Sequence, residues 1–184
     1  MRSGLHRDAH IQVSDWSEYS PDLWLLNGRA YPDTLAPNGA GRDPTGDLLP
    51  TAGFERLQYQ PISSLVTANG GDRVLLRFVN LGYTQAAMTL DGIPMTIVGK
   101  DATLLRGRDG TDLSYQTNTV YIGPGESVEG IFEAPRVTAP TTYLLYNRKL
   151  SYLANPALTG LGGQMTEIRI SPAGTLAPQA APQL

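Results

Sequence analysis

The 184-residue chain contains no cysteine. That absence excludes disulfides, thiolate catalysis, zinc–thiolate sites and iron–sulfur ligation together. Histidine is nearly absent as well: the chain has two, His6 and His10. Charge is sparse, with 17% charged residues, 14 Lys and Arg against 17 Asp and Glu, and a net charge of -3. The basic residues are scattered and form no run. Nucleic acid is therefore not expected as a partner, because its binders cluster Lys and Arg to displace counterions. No stretch approaches the roughly 18 apolar residues of a membrane span. The start, Met1 to His6, lacks the apolar core of a signal peptide, so either the chain is not exported or it is a piece of something that is.

What is present points to strands. Apolar residues make up 41%, and 20 Gly and 14 Pro are spread along the chain, as short strands with many turns require. His10 to Trp16 (HIQVSDW) reads as an entering strand. Leu23 to Asn27 (LWLLN) reads as a short one closed by Asn27-Gly28. A long loop rich in Pro, Gly and Asp follows, from Tyr31 to about Gly53; long loops are often functional or interfacial. Asn69-Gly70-Gly71-Asp72 is a turn, and Arg73 to Asn80 (RVLLRFVN) is expected to be a central strand. Further strands are expected at Ala86 to Asp91, Met95 to Gly99, Thr119 to Ile122, Ser127 to Glu133, Thr142 to Tyr146 and Met165 to Ile170. Leu144 to Ala154 also fits an amphipathic helix, but its β-rich start and the Asn155-Pro156 stop favour a strand and then a loop. Spacing and turns together imply an all-β sandwich, one domain with long loops. Its expected extent is residues 10–171, with an N-terminal lead at 1–9 and a Pro/Ala-rich tail or linker at 172–184.

Catalytic constellations are hard to assemble from these residues. His6 and His10 would chelate a metal only on a helix, and neither is placed to serve a Ser-His-Asp triad. Asp101, Asp109 and Asp112 could bind a cation through oxygen. Arg106 and Arg108 lie among them, and the spacing matches no calcium loop, so salt bridges and turn capping are the better reading. Glu126, Glu129 and Glu133 read as a solvated strand edge. Gly160-Leu161-Gly162-Gly163 lacks the Lys and helix of a phosphate loop. Tyr115, Tyr121, Tyr143, Tyr146 and Tyr152 suit core edges and interfaces more than a stacking platform.

Several phrases in order resemble one family. They are Ser14-Asp15-Trp16, Trp24-Leu25-Leu26-Asn27-Gly28-Arg29 with Tyr31-Pro32-Asp33, and Gly71 to Arg77 (GDRVLLR). They continue with Asn80-Leu81-Gly82-Tyr83, Met88 to Met95 (MTLDGIPM) and Ile122 to Ser127 (IGPGES). From about Ile11 to Ile170 the chain resembles the second cupredoxin domain of a multicopper oxidase. The resemblance implies a Greek-key β-sandwich that holds no copper and supports copper-bearing neighbours. In those neighbours a blue copper takes electrons from substrate and a trinuclear cluster reduces oxygen to water. Copper-bearing domains carry His-x-His-Gly where Thr89-Leu90-Asp91-Gly92 stands, which makes Thr89 and Asp91 degenerate ligand positions. A later His-x-His or His-Cys-His matches Tyr146-Asn147-Arg148, so Tyr146 and Arg148 are degenerate too. Met165, after Gly163-Gln164, matches an axial ligand; it is a relic that reads as core, since a thioether tunes a site but does not make one.

The resemblance thus implies no catalytic residue, no copper in this chain, and partners that are the flanking cupredoxin domains or subunits of the oxidase. The parent family is usually exported, periplasmic or extracellular. In this role the domain would position its neighbours and wall a substrate cleft, with the Tyr31 to Gly53 loop and the Asp101 to Thr117 segment as contact surfaces. The rival reading is a stand-alone copper-free cupredoxin-fold module for binding or structure, without redox activity.

Overall fold

A computed structural model describes Ser17, Pro21 and residues 23–155 and 162–179. Ten strands form two sheets: β1 Val66–Asn69, β2 Arg73–Val79, β3 Ala86–Leu90, β4 Met95–Lys100, β5 Thr103–Leu104, β6 Tyr115–Thr117, β7 Thr119–Ile122, β8 Ser127–Glu133, β9 Thr141–Asn147 and β10 Met165–Ser171. One sheet runs β1-β10-β9-β3-β7. The other runs β2-β8-β4-β5, with β6 also on β4. Pairing is antiparallel apart from β1 on β10. The crossing connections and two layers make a cupredoxin-like Greek-key sandwich, the architecture expected from the sequence.

Alternation decides which side chains enter the core. In β8, Val128, Gly130 and Phe132 point inward, and Glu129 and Glu133 point out. Leu90, Met95, Ile97, Val128, Phe132, Ile168 and Ile170 are fully buried between the sheets. Each contributes about 1.5–3 kcal/mol through burial. Gly130 leaves room for Ile97, whose Cδ1 would lie 3.3 Å from an added Cβ. The Asn69 to Asp72 turn forms as expected. Asp72 Oδ2 accepts from Asn69 N at 2.8 Å, and Gly71 takes φ +92°, a region that favours glycine.

Two expectations change. Among the described residues Arg73 to Asn80 is an edge strand, paired only with β8. Its apolar run misled because Leu75 and Val79 lie on the outer face beside Arg73 and Arg77. Leu23 to Asn27 makes no strand; a single bridge joins Leu26 to Arg29 around the Asn27-Gly28 turn. The strand expected at His10 to Trp16 lies outside the described residues. Leu144 to Ala154 divides into the end of β9 and a 3-10 turn, Leu150–Leu153.

Candidate functional site

The register of the first sheet sets the candidate positions. Thr89 on β3 pairs with Tyr146 on β9, and Tyr146 pairs with Met165 on β10. On its other side Thr89 pairs with Thr119 on β7. In-register partners share a face, so Thr119, Thr89, Tyr146 and Met165 form one row across four strands. Their neighbours Leu90, Leu145 and Ile168 alternate into the core, which puts the row on the outer face. Two of the four positions expected to be degenerate, Thr89 and Tyr146, therefore come together with Met165, the expected relic. Asp91 and Arg148 do not join them. Asp91 N donates to Leu144 O and Arg148 N to Ala87 O, which carries them to opposite ends of the face. They lie four residue steps apart, about 13 Å at roughly 3.3 Å per residue.

Two side chains of the row satisfy each other. Thr89 and Thr119 hydroxyls are 2.8 Å apart and buried. Thr119 Oγ1 also donates to Asn118 Oδ1 at 3.3 Å. Met165 is buried, but outside the main core: its carbonyl accepts from Thr34 Oγ1 at 2.9 Å, where the Asp33–Leu35 turn packs on β10. Between Tyr146 and Arg148, Asn147 is fully buried. Its Nδ2 donates to Gln164 Oε1 at 2.7 Å and its Oδ1 accepts from Lys149 N at 3.0 Å. Copper favours imidazole nitrogen and soft sulfur. Two paired hydroxyls, a phenol and a lone thioether do not fit it. Among the described residues, no three His, Cys, Asp or Glu side chains gather as a metal group. His6 and His10 lie outside the described residues.

The remaining acidic residues serve as turn caps. Asp109 accepts from Thr111 N at 3.0 Å and from Thr111 Oγ1 at 2.7 Å. Asp112 accepts from Ser114 N at 2.9 Å, and Asp101 from Ser127 N at 2.8 Å. These bonds to the hydroxyl and amide of Thr111 hold the Asp109 carboxyl below its ordinary range, and bonds from Ser114 do the same for Asp112. The capping expected from the sequence is present; among the described residues, Arg106 and Arg108 make no salt bridge with these acids. Glu126 accepts from Gly123 N at 2.7 Å, and Glu129 pairs with Arg77 at 3.2 Å.

One cluster escaped the sequence. Trp24 stacks on Tyr152 with ring centroids 3.4 Å apart, and Trp24 N donates to Asn155 Oδ1 at 2.8 Å. Lys149 Nζ donates to the Tyr152 hydroxyl at 2.6 Å. Burial pushes the Tyr152 phenol up, but hydrogen bonds with Lys149 and Thr84 and the charge of Lys149 together carry it below its ordinary value. No local signal marks this cluster, because its two halves lie far apart in sequence and meet only in the folded chain.

No family model matches the sequence, and no curated protein does. Solved structures do. The blue copper oxidase from Nitrosomonas europaea superposes on 81% of this chain with a TM-score of 0.56 and 20% identity. The chain has the cupredoxin fold. It covers 35% of that oxidase's length, so the cupredoxin unit corresponds to about a third of it. Multicopper oxidase mgLAC aligns with 62% of this chain and 32% of its own, at 23% identity and TM-score 0.48. McoA multicopper oxidase from the hyperthermophile Aquifex aeolicus aligns with 60% of this chain and 22% of its own, at 23% identity and TM-score 0.46. None of the described helical segments is long and apolar enough to cross a membrane.

Proposed function

We propose that this chain is a copper-free, non-catalytic domain of a multicopper oxidase, positioning copper-bearing neighbours that couple substrate oxidation to oxygen reduction. The observation that carries the reading is the Thr119-Thr89-Tyr146-Met165 row. It brings together Thr89 and Tyr146, two positions that the resemblance makes degenerate ligands, with the relic position Met165, and the Thr89 hydroxyl is already paired with that of Thr119. Coverage of about a third of a blue copper oxidase supports a parent with further domains. The Asp101 to Thr117 segment is the better contact surface of the two expected. It leaves Leu104, Leu113 and Tyr115 exposed around a groove of about 470 Å³ lined by Val98, Leu105, Arg106 and Asp112. The Tyr31 to Gly53 loop is instead held against its own domain: Tyr31 N donates to Gly163 O at 3.1 Å, and Thr34 is buried. Against such a groove a neighbour would form one wall of a substrate cleft.

Two measurements test the reading. Equilibrium dialysis of the purified chain against Cu(II), followed by elemental analysis, is expected to show no stoichiometric copper. Sequencing the DNA on both sides of the reading frame is expected to show His-x-His and His-Cys-His segments. One tightly bound copper per chain would overturn the copper-free role, and flanking DNA without such segments would overturn the oxidase.

A further inference from the structure

An asparagine side chain carries an acceptor and a donor on one group, the same pair that a backbone residue offers to a neighbouring strand. Asn69, the last residue of β1, turns both toward one distant residue. Leu176 N donates to Asn69 Oδ1 at 2.8 Å, and Asn69 Nδ2 donates to Leu176 O at 3.1 Å. The side chain thus pairs with Leu176 as a strand would. Its own backbone is held in the turn between β1 and β2: Asn69 N donates to Asp72 Oδ2 at 2.8 Å, and Asp72 N to Asn69 O at 3.0 Å. The chain reaches this clasp by reversing. β10 ends at Ser171, in register with Asn69. Thr175 N then donates to Pro172 O at 3.2 Å across a turn in which Gly174 takes φ +76°. Beyond the clasp, Ala177 precedes Pro178, and a residue before proline is biased to extended backbone. The direction set at Leu176 is carried forward.

We infer that Asn69 is a positioning residue that fixes where, and in which direction, the chain leaves the sandwich. The composition of residues 172–184 implies a linker that starts at Pro172. The clasp moves that start past Leu176. Residues 172–176 are withdrawn from the linker, which removes about 17 Å of reach at roughly 3.4 Å per residue. The exit is tied instead to the end of β1. Use of this exit to place a following copper-bearing neighbour rests on the function proposed above. The clasp does not rest on it, so copper binding or flanking DNA could refute that function and leave the clasp standing.

Spin labels on the intact chain read the direction. The chain has no cysteine, so two introduced thiols are labelled alone. Val79→Cys lies exposed at the far end of β2, and Ala177→Cys lies exposed just past the clasp. Double electron–electron resonance between them is expected to give one narrow distance distribution. Asn69→Ala should broaden it. Leu176→Pro, which removes the donor from the tail and leaves the β1–β2 turn untouched, should broaden it too. Amide exchange at Leu176 should accelerate at least about tenfold in Asn69→Ala, as loss of a hydrogen bond implies. Exchange at Ile170, buried in β10, should stay as it was. A broad distribution with Asn69 and Leu176 both in place would overturn the inference, as would a narrow one in both variants. An equal acceleration at Ile170 would also overturn it, since Asn69 would then serve the sheet and not the exit. If Asn69→Ala does not fold, the Leu176→Pro distribution decides.

Discussion

Removing Arg29 should open the 29–64 segment while leaving the sheets intact. Arg29 is 2% exposed although it carries a charge. Its Nε donates to Gln60 O at 2.7 Å and its Nη1 to Ala36 O at 2.6 Å. Longer contacts of 3.3 Å reach Asp33 O and Pro37 O. Burial lowers the guanidinium from its ordinary value, and the charge of Asp33 opposes that. The guanidinium stays protonated regardless, because its pKa starts so high. One planar fork thus gathers carbonyls from both ends of a long loop. A charged hydrogen bond contributes about 1.5–3 kcal/mol, so loss of the two short ones in Arg29→Ala costs about 3–6 kcal/mol. Arg29→Lys keeps the charge but not the fork, and should lose about half of that. Amide hydrogen exchange reads the effect where it acts. The amides of Leu26, Gly39 and Ser64 donate to Arg29 O, Pro61 O and Thr34 O. Their protection should fall about two to four powers of ten in the Ala variant, at tenfold per 1.4 kcal/mol. Leu145 and Ile168, in the core of β9 and β10, should change little. Unchanged protection in Arg29→Ala, or a Lys variant equal to Arg, would refute the clasp. An equal fall at Leu145 would refute the independence of the segment.

Two further outcomes are expected. Thr89→Val keeps the shape but leaves Thr119 Oγ1 only its 3.3 Å bond to Asn118; it should cost about 1 kcal/mol and lower Tm by roughly 2–4 °C, measured by calorimetry. Asp109 and Asp112 have lowered folded-state pKa values, so their contribution is present above the unfolded carboxylate pKa of about 3.9 and is lost as pH falls through the folded values. Amide shifts of Thr111 and Ser114 should therefore report opening of the 107–114 turns on acidification, with less change at the buried amides of β8. Opening as pH rises instead would contradict the assignment.

Legibility followed the range of the interactions. Strands such as Ser127–Glu133 and Met95–Lys100 were readable because alternation and adjoining turns are local properties. Local pattern did not distinguish the edge position of Arg73–Val79 from a central one, since that depends on which strands become neighbours. The short strands Val66–Asn69, Thr103–Leu104 and Tyr115–Thr117 went unread because each owes its existence to a partner strand. Met165 read as core from its type; it is buried, but under the turn at Asp33–Leu35 and away from the main core.

By itself, the sequence determined the β architecture, the absence of any thiolate chemistry, and Thr89, Asp91, Tyr146 and Arg148 as the positions worth comparing. Composition and period are enough for the first two; the four positions are what the family resemblance implies. Only the tertiary structure decided that Thr89, Tyr146 and Met165 share a row while Asp91 and Arg148 part to opposite ends of a face. It likewise brought Trp24 onto Tyr152 and closed Arg29 over the carbonyls of a long loop. The reason is register: pairing between distant strands assigns each side chain its face and its neighbours, and no short stretch of sequence contains both partners.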